Sequence, residues 1–209
     1  LGLSRGFIDA FFRPFLGGIF LERALETSAH LFRYYFRCFS AGDAAVPSGG
    51  MQDLPELMAR PLKDRIFLNT PVAEVSGSQA GLLDGSVIDA NRVVVAVDGV
   101  SAAPLLGEAP VPFKPAVTAY FAAPEAPIDQ PLLILDGEGA GPANHVAIMS
   151  NVAPTYAPPG SHLISVSGVD EAAADPEAFK EGVPKQLRRW FGSGVDRWEH
   201  LRTYQIPHA

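Results

Sequence analysis

A mixed fold, part α+β and part α/β, is predicted for this chain by three features of its pattern. Residues 29–41 and 176–191 set apolar side chains at helical spacing. Residues 116–167 hold short apolar runs separated by Pro- and Gly-rich connections, the pattern of an antiparallel sheet packed with helices. Residues 65–98 carry strand-like runs around an Asp84-Gly85 turn and end in the continuously apolar Val93–Val97, as in a strand covered on both faces.

The elements follow in order. Phe7 to Arg13 reads as a helix that Pro14 bends or stops, because its ring removes a donor, and Gly17-Gly18 then breaks the pattern. Ser28 caps a helix whose apolar face runs Leu31, Phe32, Tyr35, Phe36 and Phe39, with Gly42 as its stop. The glycine pair of Pro47-Ser-Gly-Gly-Met51 opens another helix, with Leu54, Leu57 and Met58 on one face and a halt near Pro61. Arg65–Val75 reads as a strand, and after a hairpin Arg92–Asp98 reads as a second. Asp98 caps a short helix from Val100 to Leu106. Strands are expected at 116–122, 132–135, 145–151 and 163–167. Asp175-Pro176 starts a helix with the stripe Phe179, Val183, Leu187, Trp190 and Phe191, kinked at Pro184 and ended by Gly192. Trp198, His200, Arg202, Tyr204 and Ile206 alternate with their neighbours, as in a half-buried strand. This interleaving predicts two lobes, residues 1–62 with 108–206 in one and 63–107 in the other.

Composition narrows the function classes. With 209 residues, 47% hydrophobic and 19% charged, the chain can bury a substantial core. The net charge is −7 and no run of Lys or Arg gathers, which excludes a sequence-independent grip on nucleic acid. Cys38 is the only cysteine, so there is no intramolecular disulfide. Its apolar neighbours predict a buried, inert thiol, and a reducing, cytoplasmic location is expected. Apolar stretches such as 93–112 are broken by Asp98, Gly99, Pro104 and Glu108, short of the roughly 20 residues a membrane span needs. The start lacks the pattern of a signal peptide, and Leu1 together with a stop just past Ile206 reads as two cut ends.

Several chemistries are absent from the pattern. The five histidines show no metal-ligand spacing and Cys38 has no partner, so no metal site is expected. No Gly-x-Ser-x-Gly elbow exists. Gly137-Glu-Gly-Ala-Gly-Pro142 follows a strand as a dinucleotide fingerprint does, but no helix N-terminus follows it, and it reads as a surface loop. The carboxylate pairs Asp84/Asp89 and Glu22/Glu26 read as solvated faces.

Six segments taken together, Phe12–Glu22, Pro47–Met51, Asn69–Val75, Val93–Asp98, Val152–Pro158 and Trp198–Ile206, resemble the flavin-containing amine oxidase superfamily, most closely its NAD(P)/FAD-dependent, phytoene-desaturase-like branch. The resemblance runs in order along nearly the whole chain. It implies a substrate-binding lobe (1–62 and 108–206) joined to part of a Rossmann-like FAD-binding lobe (63–107). A glycine fingerprint would lie upstream and a Gly-Asp segment downstream, so the isolated chain is expected to purify without flavin colour. By this likeness Val72 meets the adenine through its backbone, Ala96 lies along the cofactor, and Gly49, Gly50 and Met51 lie near the junction of the lobes.

The implied chemistry is hydride transfer to FAD, with the catalytic residues unassigned. Several such enzymes place a lysine on the strand that begins the substrate sheet. Here Ala116–Phe121 holds none and Lys114 lies before it, which disfavours an amine and favours a small hydrophobic substrate. Phe15, Phe20, Tyr120 and Tyr204 are the expected pocket residues. The phenylalanines from Phe7 to Phe20 offer three readings: an apolar tunnel, peripheral contact with a membrane, or plain packing. The competing function class is a non-catalytic module for an apolar ligand, or a remnant without cofactor.

Overall fold

A computed structural model describes residues 2–109 and 111–209. Leu1, on which the reading of the amino-terminal end rests, lies outside them. The chain forms two compact units, one built from the segment ending at Leu54 together with Lys114–Ala209, the other from Pro55–Phe113. Each has its own antiparallel sheet, so the fold is mixed α+β.

The first unit opens with α1 (Arg5–Phe7), a π-helical turn over Ile8–Phe12 and α2 (Arg13–Phe20). The wider turn falls immediately before Pro14, where a regular ladder would lose a donor. Contrary to the sequence expectation, Gly17-Gly18 does not end the helix. Leu21 ends it instead, in a left-handed conformation at φ 56°, and its N–H bonds to the Gly17 carbonyl. The glycines serve close approach. A Cβ on Gly18 would stand 2.9 Å from His145 Nδ1, and one on Gly17 would stand 3.0 Å from the Glu22 carbonyl.

α3 (Ala29–Ala41) starts at Ser28, whose hydroxyl accepts from the His30 N–H, and stops at Gly42. Its expected core face is largely exposed: Phe36 and Phe39 are 52% and 47% accessible, and only Phe32 of the five is half-buried. Cys38 is likewise exposed rather than buried, because the helix carries it away from the sheet core.

The unit's sheet comprises β4 (Ala116–Ala123), β5 (Leu133–Leu135), β6 (His145–Ile148), β7 (His162–Val169) and β8 (Glu199–Ile206), in the order β5-β6-β7-β4-β8, all antiparallel. β6 ends three residues earlier than its apolar run, where α6 (Met149–Val152) begins. α7 (Glu171–Ala174) and α8 (Pro176–Phe191) follow β7. Asp175 caps α8 by accepting from the Ala178 N–H at 3.0 Å. The helix continues through Pro184 and ends at Gly192.

One face of this sheet carries the core. Val117, Ala119, Phe121, Val146, Ile148, Ile164 and Val166 pack against Phe179, Val183 and Leu187 of α8. Gly168 of β7 makes room for the Phe179 ring: a Cβ there would lie 2.5 Å from Phe179 Cε2 and 2.9 Å from the Pro142 carbonyl oxygen. Gly168→Ala is therefore expected to destabilise this unit by about 1–3 kcal/mol, read as a fall in the urea midpoint. The 137–142 segment is a loop with residues 137–140 exposed, as expected, and its end is held to α8. Gln186 of α8, buried, accepts from the Ala143 N–H at 2.8 Å and donates to the Ala143 carbonyl at 3.1 Å, clamping the end of the loop to the helix.

β8 departs from simple alternation. His200 pairs with Phe121 and Arg202 with Tyr120, so Leu201 is an inserted bulge residue. His200 Nε2 and Thr203 Oγ1 then meet at 2.8 Å on the core side, while Arg202, Tyr204 and Ile206 turn to the opposite face.

α4 (Asp53–Ala59) begins in the first unit, continues in the second and passes into a 3-10 segment, Arg60–Arg65, with Leu54, Leu57 and Met58 exposed. The strand expected from Arg65 is confined to β1 (Val72–Val75), because Asn69 turns left-handed at φ 55° and Pro71 cannot donate. β2 (Gln79–Leu82) and β3 (Val87–Asp89) complete a three-stranded sheet ordered β1-β2-β3. The Asp84-Gly85 hairpin forms as expected, with the Leu82 N–H on the Ser86 carbonyl and Gly85 at φ 88°. Val93–Val97 is not a strand, and Val94 is 83% exposed. A run suited to a doubly covered strand needs neighbours on both edges, and no strand among the described residues lies beside it. α5 (Gly99–Leu106) is capped by Asp98, which accepts from the Ser101 N–H at 3.0 Å.

Candidate functional site

The half-exposed face of the five-stranded sheet carries a set of polar and aromatic side chains from its strands. Its register sets them in rows. One row crosses Leu135, His145, Ser167, Thr118 and Tyr204, and the next crosses Leu133, Ala147, Ser165, Tyr120 and Arg202. Thr118 and Ser167 share a hydroxyl–hydroxyl hydrogen bond of 2.9 Å. Tyr120 and Tyr204 meet edge to face, with ring centroids 6.0 Å apart.

α2 covers the His145 end of this face. Asn144 Nδ2 donates to the Pro14 carbonyl at 2.8 Å, which fixes the amide orientation, and lies 3.2 Å from His145 Nδ1. A donor facing Nδ1 leaves the imidazole proton on Nε2. Burial pushes the His145 pKa down, so the ring stays neutral at pH 7. Asn144 Oδ1 is buried without a partner among the described residues. The β4/β8 side of the face stays open as a groove of about 580 Å³ lined by Ala116, Thr118, Tyr120, Leu163, Arg202 and Tyr204.

Of the expected pocket residues, the structure brings Tyr120 and Tyr204 together in this groove. Phe15 and Phe20 lie elsewhere in the unit. Phe15 stacks on Phe11 and touches Phe39. Phe20 meets Tyr35 and, with Phe12, Leu16 and Phe32, lines a second apolar cavity of about 420 Å³ between the amino-terminal helices.

The Pro47–Met51 loop is pinned to the 154–156 turn of the same unit, since the Tyr156 hydroxyl donates to the Pro47 carbonyl at 2.8 Å and Thr155 Oγ1 donates to the Ser48 carbonyl. Within it the Gly49 N–H is taken by the Asp53 carboxylate at 3.0 Å and the Gly50 N–H by the Pro47 carbonyl at 3.1 Å, while Met51 is exposed. Val72 stands on β1, an edge strand, and Ala96 lies in the unpaired apolar run; both are exposed.

Glu22 corrects its reading as a solvated carboxylate. It is 5% exposed and receives the Lys114 ammonium at 2.5 Å and the Thr27 N–H at 2.6 Å. Burial pushes its carboxyl up, but the hydrogen bonds from Lys114 and Thr27 outweigh this and bring its pKa from 4.5 down to about 2. The partners lie 92 residues apart, so no local pattern announces the pair. Lys114, two residues before β4, is thus engaged by Glu22 and is not among the residues lining the groove. Arg202 also lines the groove: its strand pattern is visible in the sequence, but the bulge that turns it onto this face is not. Among the described residues no three His, Cys, Asp or Glu side chains converge as a metal site needs, and no helix is long and apolar enough to cross a membrane.

The sequence profile of one family, described as flavin containing amine oxidoreductase, matches residues 2–208. No curated protein matches the chain by sequence. Among solved structures, an oxidoreductase from Methanosarcina mazei is similar over 99% of this chain and 54% of its own, at 19% identity and a TM-score of 0.79. A reduced UDP-galactopyranose mutase is similar over 99% and 54%, at 10% identity and a TM-score of 0.62. A putrescine oxidase is similar over 75% and 38%, at 19% identity and a TM-score of 0.56. At these identities the structures share the fold, and the chain spans about half the length of the first two.

Proposed function

The chain belongs to the family of flavin-containing amine oxidoreductases, and from that premise we propose that it contributes the substrate-binding sheet of an FAD-dependent oxidoreductase acting on a small apolar molecule. The observation that carries the reading is the open sheet face, where the Tyr120–Tyr204 ring pair borders an apolar groove while Lys114 is held by Glu22. An amine substrate is disfavoured because, among the described residues, the groove lining includes no carboxylate to receive an ammonium group and carries the Arg202 cation.

The flavin supplies the hydride acceptor when bound. For the adenine end we assign Val72 and Ala96. β1 is a sheet edge, so one side of its backbone keeps donors and acceptors outside the ladder, and the small exposed Ala96 admits a flat ring. Gly49 and Gly50 offer shape rather than donors, since both amides are already engaged. In the groove, Tyr120 and Tyr204 bind and orient the substrate by ring contact and exclude water from it. Thr118, hydrogen-bonded to Ser167 on the neighbouring strand, adds an uncharged polar group to the groove wall.

The full encoded protein carries the test. Apolar candidates should bleach its flavin anaerobically, and Tyr120→Ala with Tyr204→Ala should lower kcat/KM by about 10- to 100-fold, mainly through KM, as loss of uniform binding does. Faster reduction by primary amines than by apolar compounds, or a protein that takes up no flavin, overturns the reading.

A further inference from the structure

Arg202 is the only charged side chain among the described residues lining the groove, and among those residues no carboxylate is paired with it. Its position has a structural cause. In an uninterrupted strand Arg202 would share the core face with His200 and Trp198. The extra residue at Leu201 reverses the phase, so that Arg202 stands opposite Tyr120 on the open face. The His200–Thr203 hydrogen bond of 2.8 Å closes across the bulge on the core side and holds that phase.

The guanidinium carbon sits 4.8 Å from the centre of the Tyr204 ring. Stacking of this kind occupies one flat face of the group and leaves its N–H edge free. That edge is a fork with the geometry of a carboxylate, on the rim of a groove whose other walls include Ala116, Leu163 and Ile206. Thr118 and Ser167 share one hydrogen bond, so one of their two hydroxyl protons is already engaged, and neither group carries a charge that would compete with Arg202 for an anion.

We infer that this groove takes an apolar molecule ending in a carboxylate, with Arg202 holding the carboxylate and the Tyr120–Tyr204 pair holding the adjacent apolar body. As a statement about substrate it rests on the redox reading above; as a statement about binding it does not. A carboxylate is favoured over a phosphate monoester because one guanidinium balances one charge, and the lining offers no second cation. Arg202 is a binding residue here and takes no part in moving the hydride.

The experiment uses the full encoded protein and two probes matched in shape, decanoate and methyl decanoate, titrated by calorimetry. Decanoate is expected to bind about tenfold tighter or more, as a charge-assisted bidentate contact allows, with the preference shrinking at high salt. Arg202→Met should abolish the preference while methyl decanoate binding holds, and Arg202→Lys should restore part of it. Equal affinity for the two probes in the unaltered protein, or an undiminished preference in Arg202→Met, overturns the assignment. Flavin reduction is measured separately on the same preparations. Decanoate preference without reduction by any apolar compound removes the redox reading and leaves the site; reduction by neutral compounds with no decanoate preference does the reverse.

Discussion

Phe179→Ala is expected to lower the stability of the first unit by about 3–5 kcal/mol, the range for emptying a large aromatic site in a packed core. Phe179 is 1% exposed, and its ring lies over Gly168 of β7 in a space that exists because that residue has no side chain. Val183 and Leu187, both fully buried, continue the same face of α8, so neighbouring elements hold the cavity open against collapse. Urea unfolding followed by the fluorescence of Trp190 and Trp198, which pack against this core, should show a lower midpoint at an unchanged slope. The two sites should also be coupled. Gly168→Ala should cost less in the Phe179→Ala background, because the added methyl then loses its closest clash, with the ring, and keeps only the one with the Pro142 carbonyl oxygen. Full additivity would mean that the ring does not depend on the missing Cβ.

Lys114→Met should destabilise the same unit by about 2–4 kcal/mol at pH 7, below the limit for a fully buried pair because the lysine is itself partly exposed. The variant leaves the Glu22 carboxylate buried with the amide and side chain of Thr27 as its partners and no cation beside it. The pH dependence carries the sign. Glu22 ionises at about 2 in the folded chain against 4.5 ordinarily, so its contribution is fully present above pH 4.5. It is lost as pH falls from there through about 2. Lys114→Met should flatten that acid limb, and Lys114→Arg should keep both the pair and the limb. Flavin reduction in the full protein should survive Lys114→Arg. A large loss of the chemical step there, with stability intact, would place this lysine in the reaction.

Most of the fold was legible because its signals are local. The Ser28 and Asp175 caps, the Asp84-Gly85 hairpin and the stripe Phe179–Val183–Leu187 each depend on residues within a few positions, and all of them formed. Where the sequence reading failed, a distant partner decided. Gly17-Gly18 reads as a helix break until β6 lies against it, and then the same absence of Cβ is what lets the helix approach. Val93–Val97 reads as a strand, but a ladder is a property of two segments, and none is beside it among the described residues. The candidate site divides in the same way. Tyr120 and Tyr204 were legible as aromatic positions on expected strands, whereas Arg202 was hidden because a bulge reverses which side of the strand it occupies.

From its sequence alone the chain determined its helical and antiparallel segments, its polar turns and the ordered segments that resemble the flavin amine oxidoreductases, since each is written in neighbouring residues. Only the tertiary structure decided which carboxylate is buried, which glycines admit a neighbour and which face of β8 carries a cation. Those outcomes depend on register and packing between residues far apart in sequence, such as Glu22 with Lys114, and a local pattern has no term for them.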